Sequence, residues 1–278
     1  MRRRAAAIRG GYALLAAVIL FSGANIALGM RLTKEFGGAR QFRLLQAYDL
    51  VAALSAKSDL PLNDLDKRDA TLSQELRTDG VRLYTPQRND PLAGSAPLQH
   101  ALAAVPPSLL RAQWFDLLLR HPWLYLSSRA DMFYWVVFTP DINKCLPFMV
   151  GVQGPQDELN ALNIDPRWDD RDVWLQNYGG AFEGTPVFQH GIYLLLSLVA
   201  AGILLRRRRG ADIAIGVMQL SALVYTASFF FISLACDYRY LYAVDLAAIT
   251  GWFYLALDWR WPEIRLRAAL ARLHERRA

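Results

Sequence analysis

Hydrophobic and polar positions alternate along this chain on two scales. Long apolar runs stand at Gly11 to Met30, Val187 to Leu205, Ala211 to Ala235 and Tyr240 to Leu257, the last broken only by Asp245. Each is close to the ~20 residues that a helix rising ~1.5 Å per residue needs to cross the hydrocarbon core of a bilayer. Between the first run and the second, apolar residues recur instead at helical spacing. Leu44, Leu45, Tyr48, Val51 and Ala52 predict a helix over Phe42 to Leu54, with Gln46, Asp49 and Ala53 facing elsewhere. A polar helix follows over Leu65 to Arg77, ended by Asp79-Gly80, and Val81 to Tyr84 reads as a short strand. Pro107 to Arg120 opens with a proline suited to a first helical turn. His121-Pro122 then restarts the chain into WLYLSSRADMFYWVVF, a stretch too rich in aromatics for a freely solvated helix. Residues 141 to 186, with several Pro, Gly and Asp positions, read as irregular.

Charge gives these runs a direction. Residues 1 to 10, the hinge 206 to 210 and the tail 258 to 278 carry four, four and six arginines, 14 basic residues in 36 positions. Residues 31 to 186 carry 16 basic and 19 acidic residues over 156 positions, a net of −3. Lys and Arg in short loops stay on the cytoplasmic side. The expected fold is therefore a mainly α membrane protein with four transmembrane helices and a large, mostly helical extracytoplasmic domain between helices 1 and 2. Its parts are a basic N-terminus (1–10), spans at 11–30, 187–205, 211–235 and 240–257, the outer domain 31–186, the arginine hinge 206–210, an outer turn 236–239 and a basic tail 258–278. Ser22-Gly23-Ala24 resembles a small-residue processing site, so the first span is also open to reading as a cleaved signal peptide. The location implied is the bacterial inner (cytoplasmic) membrane.

Composition agrees with a mixture of spanning helices and a watery domain. The 278 residues are 54% hydrophobic and 20% charged, with a mean hydropathy of +0.13, which excludes a disordered polar chain or a collagen-like one. The net charge of +6 and pI near 9.4 belong to the cytoplasmic fringe, where they meet anionic lipid headgroups, and give no support to nucleic-acid binding.

Candidate chemistry is sparse. Cys145 and Cys236, the only cysteines, both fall on the expected outer side, where they either pair as a disulfide or stay as two thiols. Pairing needs Cα atoms within about 7 Å. No G-x-S-x-G, Walker A, G-x-G-x-x-G or H-E-x-x-H motif occurs, and His100, His121, His190 and His274 make no metal pattern with the cysteines. No cofactor is implied, although Asp165, Asp169, Asp170 and Asp172 are open to two readings, a divalent-cation site or a solvated, helix-capping face. At the outer end of two spans, Arg239 can meet a lipid-linked phosphate with its planar fork, or pair with Asp237 and simply fix the turn. Asp245, deeper in the last span, is either a functional intramembrane group or a hydrogen-bond partner of Tyr225 or Ser228.

These pieces, taken in order, resemble the C-terminal half of bacterial membrane glycosyltransferases of the GT-C superfamily, which use polyprenyl-phosphate sugars. The matching residues are Gln46-Ala47-Tyr48-Asp49-Leu50 just after a span, Trp114, then His121-Pro122-Trp123-Leu124-Tyr125-Leu126 with Arg129, and Asp237-Tyr238-Arg239-Tyr240 opening the last span. The resemblance implies an extracytoplasmic site at the membrane face, a polyprenyl-phosphate-linked sugar as donor, and a glycan, lipid or protein acceptor. Arg239 would hold the phosphate. In that superfamily the essential acid usually lies in the first outer loop of a chain with many more spans. No catalytic base carries over, and a second polypeptide would have to supply that half. Asp49 and Asp237 are the candidate catalytic acids within this chain. Two non-enzymatic readings stand beside it: a membrane subunit of a mechanotransmitting ABC transporter, for which the Arg206 to Gly210 hinge is short, and a sensor or assembly factor using the aromatic stretch from Trp114 to Phe138 as a partner surface.

Overall fold

The computed structural model describes residue 20, residues 37–145 and residues 149–258. The expected basic N-terminus, almost all of the first span and the basic tail from 259 onward lie outside the described residues. Among the described residues every regular element is helical, and the only β pairing is two isolated bridges, Arg88 with Ala235 and Val152 with Arg167.

A helical head forms around α1 (Gly37–Ala56), whose run from Leu45 to Leu54 is buried on every side, as befits a helix apolar around most of its circumference. Short helices α2 (Asn63–Arg68) and α3 (Ala70–Glu75), then α4 (Ala96–Ala104), α5 (Pro107–Arg120) and α6 (Pro122–Phe138) wrap it. Leu60, Leu62, Leu65, Leu72, Leu76, Leu92, Leu98, Leu110 and Leu117 are sealed against Tyr48, Leu50 and Val51.

Helix ends are satisfied across elements. Gln113 on α5 accepts from the backbone N–H of Asp64 at 3.0 Å, serving the uncapped start of α2. Arg43 on α1 donates to the carbonyls of Leu102 and Val105 where α4 ends. The break between α5 and α6 falls at His121, which cannot stay helical comfortably ahead of Pro122 and sits at φ −129°, ψ 50°.

Two expectations change here. The polar helix does not stop at Asp79-Gly80. The chain continues through a π turn (Leu76–Gly80) into a helical turn at Val81–Leu83, where a short strand was expected. The glycine serves close approach: a Cβ at Gly80 would stand 2.8 Å from Val51 Cγ2 on α1. Within 141–186, read as irregular, the chain forms helical turns at Ile142–Cys145 and Gln156–Ala161 and a regular helix α7 (Asp170–Gly180).

Three apolar helices follow: α8 (His190–Arg207), α9 (Gly210–Ile232) and α10 (Tyr242–Leu257). The first two are long and apolar enough to cross a membrane, and α10 is a shorter apolar helix. They pack as a bundle through small residues: a Cβ on Gly251 would meet Gln219 Nε2 at 2.5 Å, and one on Gly216 would meet Leu205 at 3.0 Å. The second half of α6 bridges head and bundle, with Val136, Val137 and Phe133 against Phe229, Phe230 and Val244.

Candidate functional site

Where the two units join, residues from distant parts of the chain converge in a buried clamp. Asp49 on α1 pairs with Arg129 on α6 at 2.6 Å, and the two side chains are 1% and 0% exposed. The other Asp49 oxygen accepts from the indole N–H of Trp114 on α5 at 2.7 Å. Arg129 also donates to the backbone carbonyl of Ser233 at 2.8 Å, just past the end of α9, and lies 5.8 Å from the Tyr125 ring centroid. Burial pushes the Asp49 carboxyl up from the ordinary carboxylate range, and the Arg129 charge and the Trp114 donor pull against it. Asp49 is thus sealed inside the protein and committed to two partners, away from any surface an acceptor hydroxyl could reach.

From Ser233 the chain runs into the second feature. Cys236 is joined to Cys145 by a disulfide with Cα atoms 4.9 Å apart, and its N–H donates to Gln87 O at 2.8 Å. Two residues later the chain turns through Tyr238–Tyr240. Asp237 accepts from the Arg239 backbone N–H at 3.2 Å, and one of its oxygens takes both Nε and Nη2 of the Arg239 guanidinium at 2.8 and 2.7 Å. Asp237 therefore shapes the turn and aims the arginine. The Arg239 side chain is still 74% exposed, with no partner for Nη1 among the described residues.

Beneath that turn lies a group that sequence reasoning placed differently. Asp245 bonds neither Tyr225 nor Ser228. It pairs with His190 Nδ1 at 2.9 Å and accepts from the Tyr238 hydroxyl at 2.6 Å. His190 Nε2 faces the Tyr238 carbonyl at 3.1 Å, and the imidazole stacks on the Tyr238 ring at 4.1 Å. Tyr225 and Ser228 lie toward other neighbours: Tyr225 packs on Phe229, and Ser228 bonds the Tyr225 carbonyl. Both imidazole nitrogens face acceptors, a carboxylate and a carbonyl. Burial, followed by the bond to Asp245, pushes the Tyr238 phenol up, so it stays a donor. His190, which carried no motif in the sequence, thus fixes the base of the Arg239 turn.

Two further polar tiers occupy the bundle. Gln219 donates to Ala247 O at 2.6 Å and accepts from Ser197 at 2.5 Å. Asp212 accepts from Tyr254 at 2.8 Å, near Arg207 and Arg209, which reach Asp258. Asp212, Gln219 and Thr226 recur every seventh residue along α9, and all three are buried. That spacing was the available signal.

The acidic run takes its helix-capping form. The Asp169 side chain accepts from the Asp172 N–H at 3.1 Å and the Asp172 side chain from the Asp169 N–H at 3.1 Å, a reciprocal cap that starts α7. The bond from the Asp172 N–H holds the Asp169 carboxyl below its ordinary range. Among the described residues no three His, Cys, Asp or Glu side chains gather as metal ligands. No protein family, curated protein or solved structure matches the chain.

Proposed function

We propose that this chain is a multi-pass protein of a bacterial inner membrane that holds the phosphate of a polyprenyl-phosphate-linked sugar at Arg239, as the donor-binding part of a GT-C-like glycosyltransferase in cell-envelope glycan assembly. In this reading the bundle and the segment 11–30 make four spans, and the head stands on the extracytoplasmic side. The observation that carries the reading is convergence. Two of the sequence pieces behind the family resemblance meet through the Asp49, Trp114 and Arg129 contacts, and Arg129 bonds the Ser233 carbonyl four residues before the third piece, a turn that presents an exposed guanidinium beside the bundle. A guanidinium at a lipid boundary gives a phosphate two parallel charge-assisted bonds.

The bundle surface supports the membrane part. Only 28% of the apolar window of α8 and 22% of that of α9 is buried, whereas the core helix of a soluble protein is mostly buried. Leu195, Leu198, Val217, Leu220, Val224 and Phe253 face outward. An exposed apolar surface of that extent belongs against lipid.

In the proposed chemistry Arg239 neutralises the departing phosphate. Asp237, already committed to that arginine, positions it, and the carboxylate that takes the proton of the acceptor hydroxyl, as a general base, comes from a second polypeptide. The test is binding of radiolabelled polyprenyl-phosphate sugar to the purified chain. Arg239→Ala should weaken binding about 10- to 100-fold, the loss of a charge-assisted hydrogen-bonded contact worth ~1.5–3 kcal/mol. Unchanged binding in that variant removes the phosphate role.

A further inference from the structure

Helix α7 is left largely uncovered by the other described residues. Of its eleven residues only Asp172 is buried. Trp174 and Tyr178 are 62% and 58% exposed, and their rings stack at 5.6 Å with planes 12° apart. Phe182 continues the ladder, with its ring edge-on to Tyr178 at 5.3 Å. At 3.6 residues per turn Trp174, Leu175 and Tyr178 share an arc of about 100°, with Asp172, Gln176 and Asn177 on the remaining face. Arg171 projects from the first turn on the aromatic side, where a long basic side chain can lay its stem on apolar surface and keep its head in water.

The connection to the bundle is short and pinned. Phe182 O accepts from the Thr185 N–H at 3.1 Å, and Thr185 Oγ1 accepts from the Val187 N–H at 3.4 Å. The Val187 carbonyl then accepts from the Tyr193 hydroxyl on α8 at 3.1 Å. Five residues from that anchor, Phe182 lies within about 17 Å of the end of the bundle, however the chain is drawn.

Two ligand surfaces use rows of exposed aromatics, sugars and lipid interfaces. A sugar stacks on a free ring face, but Trp174 and Tyr178 cover each other's facing sides and Phe182 closes the far end with an edge contact. Tryptophan and tyrosine beside the end of a span are instead the residues of the headgroup region, where an apolar ring and a polar tip are both satisfied. From the uncovered face, the residue types and the pinned connection to the bundle, we propose that α7 is an interfacial helix. It lies along the membrane surface beside the end of the bundle, with Trp174, Tyr178 and Phe182 at the boundary between headgroups and acyl chains. The inference rests on the membrane reading given above and extends it to a segment outside the spans.

The test uses the full chain reconstituted in phosphatidylcholine vesicles containing brominated lipid, with the bromine placed near the acyl carbonyls in one preparation and near the chain ends in another. The emission of Trp174 is the difference between the native chain and Trp174→Phe, and that of Trp252 on α10 is the difference from Trp252→Phe. The expected result is loss of most of the Trp174 emission with shallow bromine and much less with deep bromine. Tyr178→Trp in the Trp174→Phe background should restore a signal quenched in the same way, which guards against a local effect of the first variant. Quenching of Trp252 with no quenching of Trp174 overturns the inference and leaves the bundle in the bilayer. A Trp174 signal that responds to soluble oligosaccharide and ignores bromine overturns it in favour of a glycan platform. Quenching of neither tryptophan overturns the membrane reading and the inference with it.

Discussion

In the head, the side chains withdrawn from the surroundings are mainly leucines, with alanines, valines and tyrosines around α1 and a few polar groups such as Gln46 and Gln113, and the buried charges Asp49 and Arg129 pair with each other. In the bundle the withdrawn side chains include Ser197, Asp212, Gln219, Thr226 and Asp245, with Gly216, Gly251, alanines and a few apolar residues such as Leu204 and Val244 between them, while Leu195, Leu198, Val217, Leu220 and Val224 point outward. One chain thus folds with two opposite patterns. In the proposed arrangement water surrounds the head and apolar burial is its driving term. The same proposal puts lipid around the bundle and removes that term there, so close backbone approach and interhelical hydrogen bonds would hold the helices together. The junction has features of both: an apolar cluster of Val136, Val137, Phe229, Leu241 and Val244, and a covalent tie between Cys145 and Cys236.

The sharpest way to break this comparison is in the head. Arg129→Met leaves the Asp49 carboxylate buried without its partner and should cost about 3–5 kcal/mol, read as loss of the folded fraction in thermal or denaturant unfolding in detergent. Adding Asp49→Leu should recover much of that loss, because the charge left behind, more than the lost attraction, sets the cost. A double variant no better than the single one would show that the clamp is held by something other than this pair.

Next in size is the tie between the units. Cys236→Ser opens a loop of 91 residues in sequence separation and should cost about 2–5 kcal/mol, with the head and bundle signals separating in the melting curve. The smallest expected effect is in the bundle. Gln219→Leu removes the bonds to Ser197 and Ala247 and should cost about 0.6–1.7 kcal/mol in lipid or detergent, well under a Leu50→Ala cavity in the head at about 2–5 kcal/mol. Equal losses at the two sites would erase the distinction between the two kinds of core.

Local signals in the sequence are faithful where neighbours along the chain decide the outcome. The periodicity over Phe42 to Leu54 lies inside α1, and Pro107 and Pro122 mark the first turns of α5 and α6 because a ring that fixes φ and lacks an N–H suits that position. Likewise the apolar runs from Val187 onward contain α8, α9 and α10 to within a few residues. Outcomes set by distant contacts are not visible locally. Gly80 carries the mark of a helix stop, yet it serves the approach of Val51, which is 29 residues away. Asp245 stands out in the sequence as an ionisable group inside an apolar run, but its partner, His190, lies 55 residues back on another helix. Of the candidate site, Arg239 with Asp237 could be read from adjacency. The link from Asp49 through Arg129 to Ser233 could not, because it joins three elements that only the fold brings together.

The sidedness of the head tests the account most directly. Alkaline phosphatase, active only outside the cytoplasm, and a fluorescent protein, bright only inside it, can be fused in turn after Trp168 and after Arg208. The account predicts phosphatase activity at Trp168 and fluorescence at Arg208. The reverse pattern, or fluorescence at both sites, would contradict it.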